Sequence, residues 1–226
     1  MKKIVVLTGA GMSAESGINT FRDADGLWEG HDVIEVASPE GFRKNPELVL
    51  DFYNQRRRQL FTVKPNAAHN ALADLEQQYN VTIITQNVDD LHERAGSTDI
   101  IHLHGELLKA RSIENDTIVY DCTDDIYIGD LCPKGTQLRP HIVWFGEAVP
   151  MLEKAAEITI LADVLIIIGT SMQVYPAASL INYAKPGIPI YFIDPKPAVN
   201  ANDFENLTVI AKKATVGVQH LIENYL

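Results

Sequence analysis

The sequence predicts an α/β protein, a doubly wound Rossmann-like parallel sheet with a smaller inserted domain. Three observations predict it. Short β-branched runs recur along the chain and are almost continuously apolar, as parallel strands covered on both faces require. Segments of helical periodicity separate them. A glycine-rich turn follows the first run directly, where nucleotide-binding sheets of this kind place their phosphate loop.

In chain order, the predicted strands are Lys3–Leu7, Val81–Thr85, Ile100–Leu103, Val164–Ile168, Ile188–Ile193 and Leu207–Ile210. Between them, Asn66–Tyr79 reads as a helix with Ala67, Asn70, Ala71, Asp74, Leu75 and Gln78 on neighbouring turns. Pro150–Ala162 and Pro176–Ala184 each place a proline at the expected first helical position, and Val216–Tyr225 closes the chain. Two stretches do not fit the core. Gly30–Thr62 reads as helical, including Pro46–Phe61 with Leu48, Val49, Phe52 and Leu60 apolar. Leu107–Pro140 is polar and irregular, with short strands expected at Leu107–Arg111 and Thr117–Asp121. Residues 1–29, 63–106 and 141–226 are therefore assigned to the core domain, and 30–62 with 107–140 to the small one.

Composition narrows the function. The 226 residues carry 19 Lys+Arg against 30 Asp+Glu, a formal net charge of −11. That balance argues against nucleic acid or an anionic membrane as the main partner, since both are polyanions. The apolar run behind Lys2 and Lys3 stops at Thr8-Gly9, too short for a signal core, and no later run approaches the ~20 residues of a membrane span. A cytoplasmic protein is expected. It is also expected to be a monomer, because no exposed apolar helix stripe is evident. Two cysteines, Cys122 and Cys132, exclude a disulfide-dense scaffold.

Thr8-Gly9-Ala10-Gly11-Met12-Ser13-Ala14 is a G-x-G-x-x-A turn, whose glycines let backbone approach a ligand and whose following helix start offers N–H groups to a phosphate. A dehydrogenase would place an acid-tipped second strand about 20 residues further on. Here Glu15–Trp28 is small and polar instead, suited to a loop over a ligand with Phe21 as cover and Arg22 as anion partner.

Several spaced segments resemble one family. Gly9–Ile18 followed by Phe21-Arg22, Thr85-Gln86-Asn87-Val88-Asp89-Asp90-Leu91-His92, His102-Leu103-His104-Gly105, Arg139-Pro140, Val143-Trp144-Phe145-Gly146-Glu147 and Gly169-Thr170-Ser171 occur in the order found in sirtuins. Those proteins are NAD-dependent protein-lysine deacylases. The resemblance implies NAD as cosubstrate, transfer of a lysine's acyl group to ADP-ribose, and release of nicotinamide. It implies His104 as the catalytic base, a role imidazole suits because its ordinary pKa lies near working pH. It implies Asn87 as the second catalytic residue. The cofactor contacts carried over are Gly9, Ala10, Gly11, Ser13, Phe21, Arg22, Gln86, Asn87, Asp89, His104, Gly169, Thr170, Ser171, Asp194 and Ala214. Asp194 stands where the family usually has Asn. Asn87 also fits the cap of a helix beginning near Val88, His102 reads as structural, and His69, His92 and His141 as local hydrogen-bonding groups.

Tyr53-Asn54-Gln55-Arg56 matches the Tyr-x-x-Arg marker of the sirtuin class that removes negatively charged acyl groups, most like bacterial members accepting succinyl and acetyl lysine. The spacing puts both side chains on one helix face, where a guanidinium and a phenol can hold a distal carboxylate. The same pattern fits an ordinary amphipathic helix. Arg57 and Arg58 are expected to face solvent. Val143–Glu147 resembles the strand edge that binds the substrate backbone, with Val143, Phe145 and Gly146 as contacts and Phe145 lining the acyl-lysine tunnel. Acylated proteins or peptides are the implied partners.

Most sirtuins hold a structural zinc with four small-domain cysteines. Here only Cys122 and Cys132 exist, with nine residues between them, so no zinc is expected. The small domain would then be held by packing of Leu107, Ile113, Ile118, Val119, Tyr120, Ile126, Tyr127 and Leu131. An ADP-ribosyltransferase or a non-catalytic NAD sensor are the alternatives, and a dehydrogenase is more distant.

Overall fold

The computed structural model describes residues 1–19, 27–114, 117–200, 202 and 204–226. Its elements in chain order are β1 (Lys3–Thr8), β2 (Leu27–Trp28), β3 (His31–Asp32), α1 (Val33–Val36), α2 (Pro39–Lys44), α3 (Pro46–Leu60), α4 (Ala67–Leu75), β4 (Asn80–Thr85), α5 (Leu91–Ala95), β5 (Ile100–His102), β6 (Gly105–Ser112), β7 (Val119–Asp121), β8 (Leu138–Ile142), α6 (Leu152–Ile160), β9 (Val164–Ile168), β10 (Ile190–Ile193), β11 (Leu207–Ile210) and α7 (Ala214–Tyr225).

The main sheet has the order β11-β10-β9-β1-β4-β5, and every pairing in it is parallel. Alternate residues of its strands face two separate cores, as the strand period of two requires. Ile4, Val6, Ile83, Ile166 and Ile168 pack under Leu72 of α4 and Val218 and Leu221 of α7. Val5, Leu7, Ile84, Leu165 and Ile167 pack on the other face under Ala155 of α6 and Leu180 of the 3-10 segment Ala177–Tyr183. Both faces are covered, so the strands read as unbroken apolar runs. The chain crosses over between β1 and β9, the switch point where open α/β sheets place their ligands.

A three-stranded antiparallel sheet, β7-β6-β8, stands beside it. Helices α1, α2 and α3 pack on it through Val36, Phe42, Val49, Phe52 and Tyr53, which share a core with Leu107, Ile142 and Trp144. β8 runs across the expected junction between residues 140 and 141.

Several expectations are corrected. Pro176 caps the 3-10 segment instead of opening it, and Pro150 lies ahead of α6, whose N-cap is Met151. The helix near Val88 begins at Leu91, and Asn87 does not cap it. α4 buries Ala68, His69, Leu72 and Leu75; Ala67, Asn70 and Asp74 face outward. Of the residues expected to pack the small module, only Leu107 and Ile126 are buried, while Ile113, Ile118, Val119, Tyr127 and Leu131 are exposed. β7 is an edge strand, paired with β6 alone, and Val119 on it is left partly in solvent.

Arg57 is also corrected. It is fully buried and faces inward. Its Nε donates to Leu107 O at 3.1 Å and its NH1 to Asn54 Oδ1 at 2.9 Å. Asn54 in turn clamps the backbone of Ile126, donating to its carbonyl and accepting from its N–H, each at 2.9 Å. Polar bonds from α3 therefore tie down a module whose apolar contacts are few. Arg58 does face solvent, paired with Asp125 at 2.6 Å.

Candidate active site

A cavity of about 940 Å³ opens at the carboxyl ends of β1, β4, β9 and β10. The turn after β1 supplies Gly9, Ala10, Gly11 and Ser13; the segment after β4 supplies Gln86, Asn87 and Asp89. Gly169, Thr170 and Ser171 follow β9, Asp194 follows β10, and Ala214 opens α7. His104, Tyr53, Val143, Phe145 and Gly146 complete the expected set on the other side. Phe21 and Arg22 lie outside the described residues. Arg56 does not border the cavity.

The turn after β1 differs from expectation. It continues as two single 3-10 turns, Ala10–Met12 and Ala14–Ser16, with no α-helix start. Its glycines are needed for contact with β9 as much as for any ligand. A Cβ on Gly9 would lie 2.8 Å from Gly169 O, and one on Gly11 would lie 2.7 Å from Gly169 Cα. The Gly11 N–H donates to Gly169 O at 2.8 Å. Glycine meeting glycine lets two backbones touch, and the floor they form carries no side chain.

Polar groups line the buried wall. Asn87 Nδ2 donates to Ser13 Oγ at 3.1 Å, and Ser13 Oγ donates to Asp89 Oδ2 at 2.9 Å. Burial raises the Asp89 carboxyl to about 6 against the bonds from Ser13 and the Leu91 N–H. The Asn87 N–H is held by Thr85 Oγ1 at 3.0 Å, itself bonded to Thr8 Oγ1 at 2.8 Å, and Thr8 meets His92 Nε2 at 3.2 Å. Gln86 Nε2 donates to Thr170 Oγ1 at 3.2 Å, bridging the ends of β4 and β9.

His104 Nδ1 lies 3.1 Å from Gln86 O. A carbonyl only accepts, so Nδ1 carries the proton and Nε2 of the neutral ring keeps its lone pair. Burial lowers the His104 pKa below the ordinary imidazole value, with the carbonyl bond opposing it. The ring is thus neutral at pH 7 and equipped to take a proton. His102 is different: its Nε2 sits 2.7 Å from Glu93 Oε1 and its Nδ1 3.3 Å from Asn87 O. Burial works against its charge, but Glu93 outweighs that and raises its pKa. Both ring nitrogens are committed.

On the far side, Tyr53 borders the cavity yet exposes no surface to water, and its Oη accepts from Trp144 Nε1 at 3.0 Å. Arg56, one turn on, packs its Cζ 4.8 Å from the Phe52 ring centre. Among the described residues it forms no ion pair, and its Nε is buried without a partner. Val143–Glu147 is a turn beyond the end of β8, not a strand edge. The Val143 N–H already bonds His104 O and the Phe145 N–H bonds Ala37 O, each at 2.9 Å. Phe145 is 44% exposed at the mouth. Sequence reasoning missed Trp28, Tyr175, Lys196 and Lys213 on the lining, and the Trp144–Tyr53 bond; their nearness comes from the fold.

The cradle fits a dinucleotide: a side-chain-free floor, buried amide and hydroxyl groups, and an acid, Asp194, directly after β10. Cys122 Sγ donates to Asp124 O at 3.4 Å and Cys132 Sγ meets Thr136 Oγ1 at 3.0 Å. Among the described residues no group of three His, Cys, Asp or Glu could hold a metal, and no helix is long and apolar enough to cross a membrane.

Comparison with known proteins adds an independent line. The model of the Sir2 family matches residues 9–176. An NAD-dependent protein deacylase of Helicobacter pylori (strain ATCC 700392 / 26695) is 62% identical over 222 residues, covering 98% of this chain and 96% of that protein. One of Bacteroides thetaiotaomicron is 54% identical over 227 residues, 98% of this chain and 97% of that one. Among solved structures, a Sir2 homolog–NAD complex superimposes with a TM-score of 0.86 at 42% identity, over 98% of this chain and 90% of that one. Sir2 bound to an acetylated peptide gives 0.80 at 28% identity, over 97% and 92%.

Proposed function

The chain belongs to the Sir2 family, and from that premise we propose that it is an NAD-dependent protein-lysine deacylase removing succinyl, malonyl and acetyl groups. The products would be free lysine, nicotinamide and O-acyl-ADP-ribose. The observation that carries this reading is His104, a neutral imidazole with Nδ1–H spent on a backbone carbonyl and Nε2 left as base beside the cavity.

Bound NAD would supply an activated ribose carbon with nicotinamide as its leaving group. Gly9, Gly11 and Gly169 would let its phosphates approach backbone, and Asp194 and Ala214 would hold the adenosine end. Ser13, Asn87 and Asp89 would orient hydroxyls through amide and carboxyl groups. His104 Nε2 would take up a proton from a hydroxyl presented in the cavity, which suits an imidazole kept neutral by burial. Val143, Phe145 and Gly146 would receive the acyl-lysine at the mouth.

The anionic-acyl part rests on α3. Arg56 is a half-buried guanidinium without an ionic partner among the described residues, one turn from the Tyr53 that borders the cavity. An unpaired cation in that place favours an anionic guest. The reading further includes a small module that folds without zinc, a core unit of residues 1–29, 63–106 and 141–226, and a cytoplasmic monomer with no nucleic-acid or membrane partner.

Mass spectrometry of the protein incubated with NAD and either succinyl-lysine or acetyl-lysine peptide tests it. Deacylated peptide and nicotinamide should form in equal amounts, and His104→Ala should reduce both by about 10²–10⁴-fold. ADP-ribose attached to protein, with no peptide deacylated, would overturn the assignment. Normal turnover by the alanine variant would overturn the role of His104.

A further inference from the structure

The motif Val143–Glu147 ends in an acid that the deacylation chemistry leaves unused. The Glu147 carboxylate accepts four hydrogen bonds. Arg139 gives two, at 2.7 and 3.1 Å, Arg111 gives one at 3.0 Å, and the Trp144 N–H gives one at 2.8 Å. Arg111 and Arg139 are 5% and 6% exposed, and each also donates to Ile142 O. Neither borders the cavity, whereas Trp144, Tyr53 and Glu147 do.

The cluster acts on the indole from two sides. Arg139 Cζ lies 3.2 Å over the centre of the Trp144 ring, a cation–π contact that only the paired carboxylate lets persist in a buried place. At the other edge Nε1–H donates to Tyr53 Oη at 3.0 Å. That bond takes an acceptor site of the phenol, so what Tyr53 retains to offer is its own hydrogen, as a donor.

We propose that Glu147 is a positioning residue for acyl-lysine recognition, holding Trp144 and, through it, the Tyr53 hydroxyl in place at the cavity wall. This rests on the deacylase reading. Its physical basis is charge. Two buried guanidiniums converge on one carboxylate, and without that carboxylate they repel each other and release the turn that carries Trp144, Phe145 and Gly146. The Glu147 carboxyl stays ionised through the physiological range, because the Arg139 bond and the Trp144 N–H outweigh the upward push of burial. A neutral amide of the same shape keeps the volume and loses the hold.

The test is a separation of KM values in the full chain. Glu147→Gln should raise KM for acyl-lysine peptide about ten-fold, with KM for NAD within about two-fold of wild type. Glu147→Asp, which keeps the charge, should recover part of the loss. Because Glu147→Gln leaves two buried cations short of a partner and can unfold the module, Trp144→Phe is the second variant. It removes only the Nε1–H donor and part of the ring, and should raise peptide KM in the same direction. An unchanged peptide KM in folded variants overturns the proposal, as does an equal rise for NAD and peptide, which would mark a general structural role. Wild-type protein that deacylates no acyl-lysine peptide would instead refute the function itself, a result read before any variant is made.

Discussion

Replacing Gly169 by alanine tests how the cavity floor is built. Gly169 has φ +63°, in the left-handed region, and an added Cβ would lie 2.5 Å from Gly11 C and 2.7 Å from Gly11 Cα. These neighbours are backbone and cannot rotate away. The left-handed conformation costs about 1–2 kcal/mol for a residue with a side chain. Overpacking against fixed neighbours adds about 1–3 kcal/mol. A total of about 2–5 kcal/mol lowers Tm by on the order of 4–20 °C in a chain of this size. Gly187 provides the control, since it has φ +83° with nothing within 4 Å of its added Cβ. Gly187→Ala should therefore show the conformational part alone. Calorimetric melting of both variants isolates the steric part, and the NAD titration of each adds a functional readout. Gly169→Ala should weaken NAD about ten-fold or more by parting the β1 turn from β9, and Gly187→Ala should leave it unchanged. Equal Tm shifts and equal NAD affinities in the two variants would refute the contact between the two glycine segments as the reason for their composition.

Acid should destabilise the fold between pH 7 and 5. Burial keeps His69 and His92 neutral down to about 4 and about 3. The unfolded chain takes up those protons near 6.5, so their contribution is complete above that value and is lost progressively as pH falls from there toward about 4 and about 3. Asp89, raised by burial to about 6, works oppositely: its contribution is complete below the ordinary carboxylate range and is lost as pH rises through about 6. Two imidazoles, each moved further, outweigh one carboxyl; urea unfolding that grows harder on acidification would contradict this. Arg56→Met should lower kcat/KM for succinyl-lysine about 5- to 30-fold relative to acetyl-lysine, the equivalent of about 1–2 kcal/mol for a half-exposed, screened contact. Equal effects on both substrates would remove the carboxylate role of Arg56. Metal analysis of untagged, dialysed protein should find less than about one-tenth of a zinc per chain, and one zinc per chain would show a site that two cysteines do not account for.

The sheet was legible because a strand covered on both faces has no polar residues to interrupt it, so Val164–Ile168 could be read to the residue. Helix ends were less legible, since Pro150 and Pro176 are compatible with a cap as well as with a first turn. Most of the site was legible because it sits on residues directly after strands, where sequence neighbours are also spatial neighbours. What sequence could not show were bonds across long separations. Arg57 sits in an Arg-Arg-Arg run that looks solvated, and its burial depends on Leu107, 50 positions away. The Trp144–Tyr53 bond spans 91 positions. Arg56 was placed correctly on α3, but periodicity alone does not say whether a side chain reaches a cavity or stops beside it.

The root of the three-stranded sheet is built differently from its tip. Gly105 of β6 faces Ile142 of β8, with room there for no side chain on Gly105, and the next N–H, of Val143, bonds His104 O. The chain enters and leaves this excursion at adjacent points, which form its neck, and its outer end is held a second time by Asn54 and Arg58 of α3, which bond Ile126 and Asp125. Lengthening or shortening such a loop adds only a slowly growing closure entropy and leaves the neck unchanged. A side chain added at the neck on Gly105, one position from His104, would run into the His141 backbone, whereas Gly129 and Gly135 at the tip have open space around them.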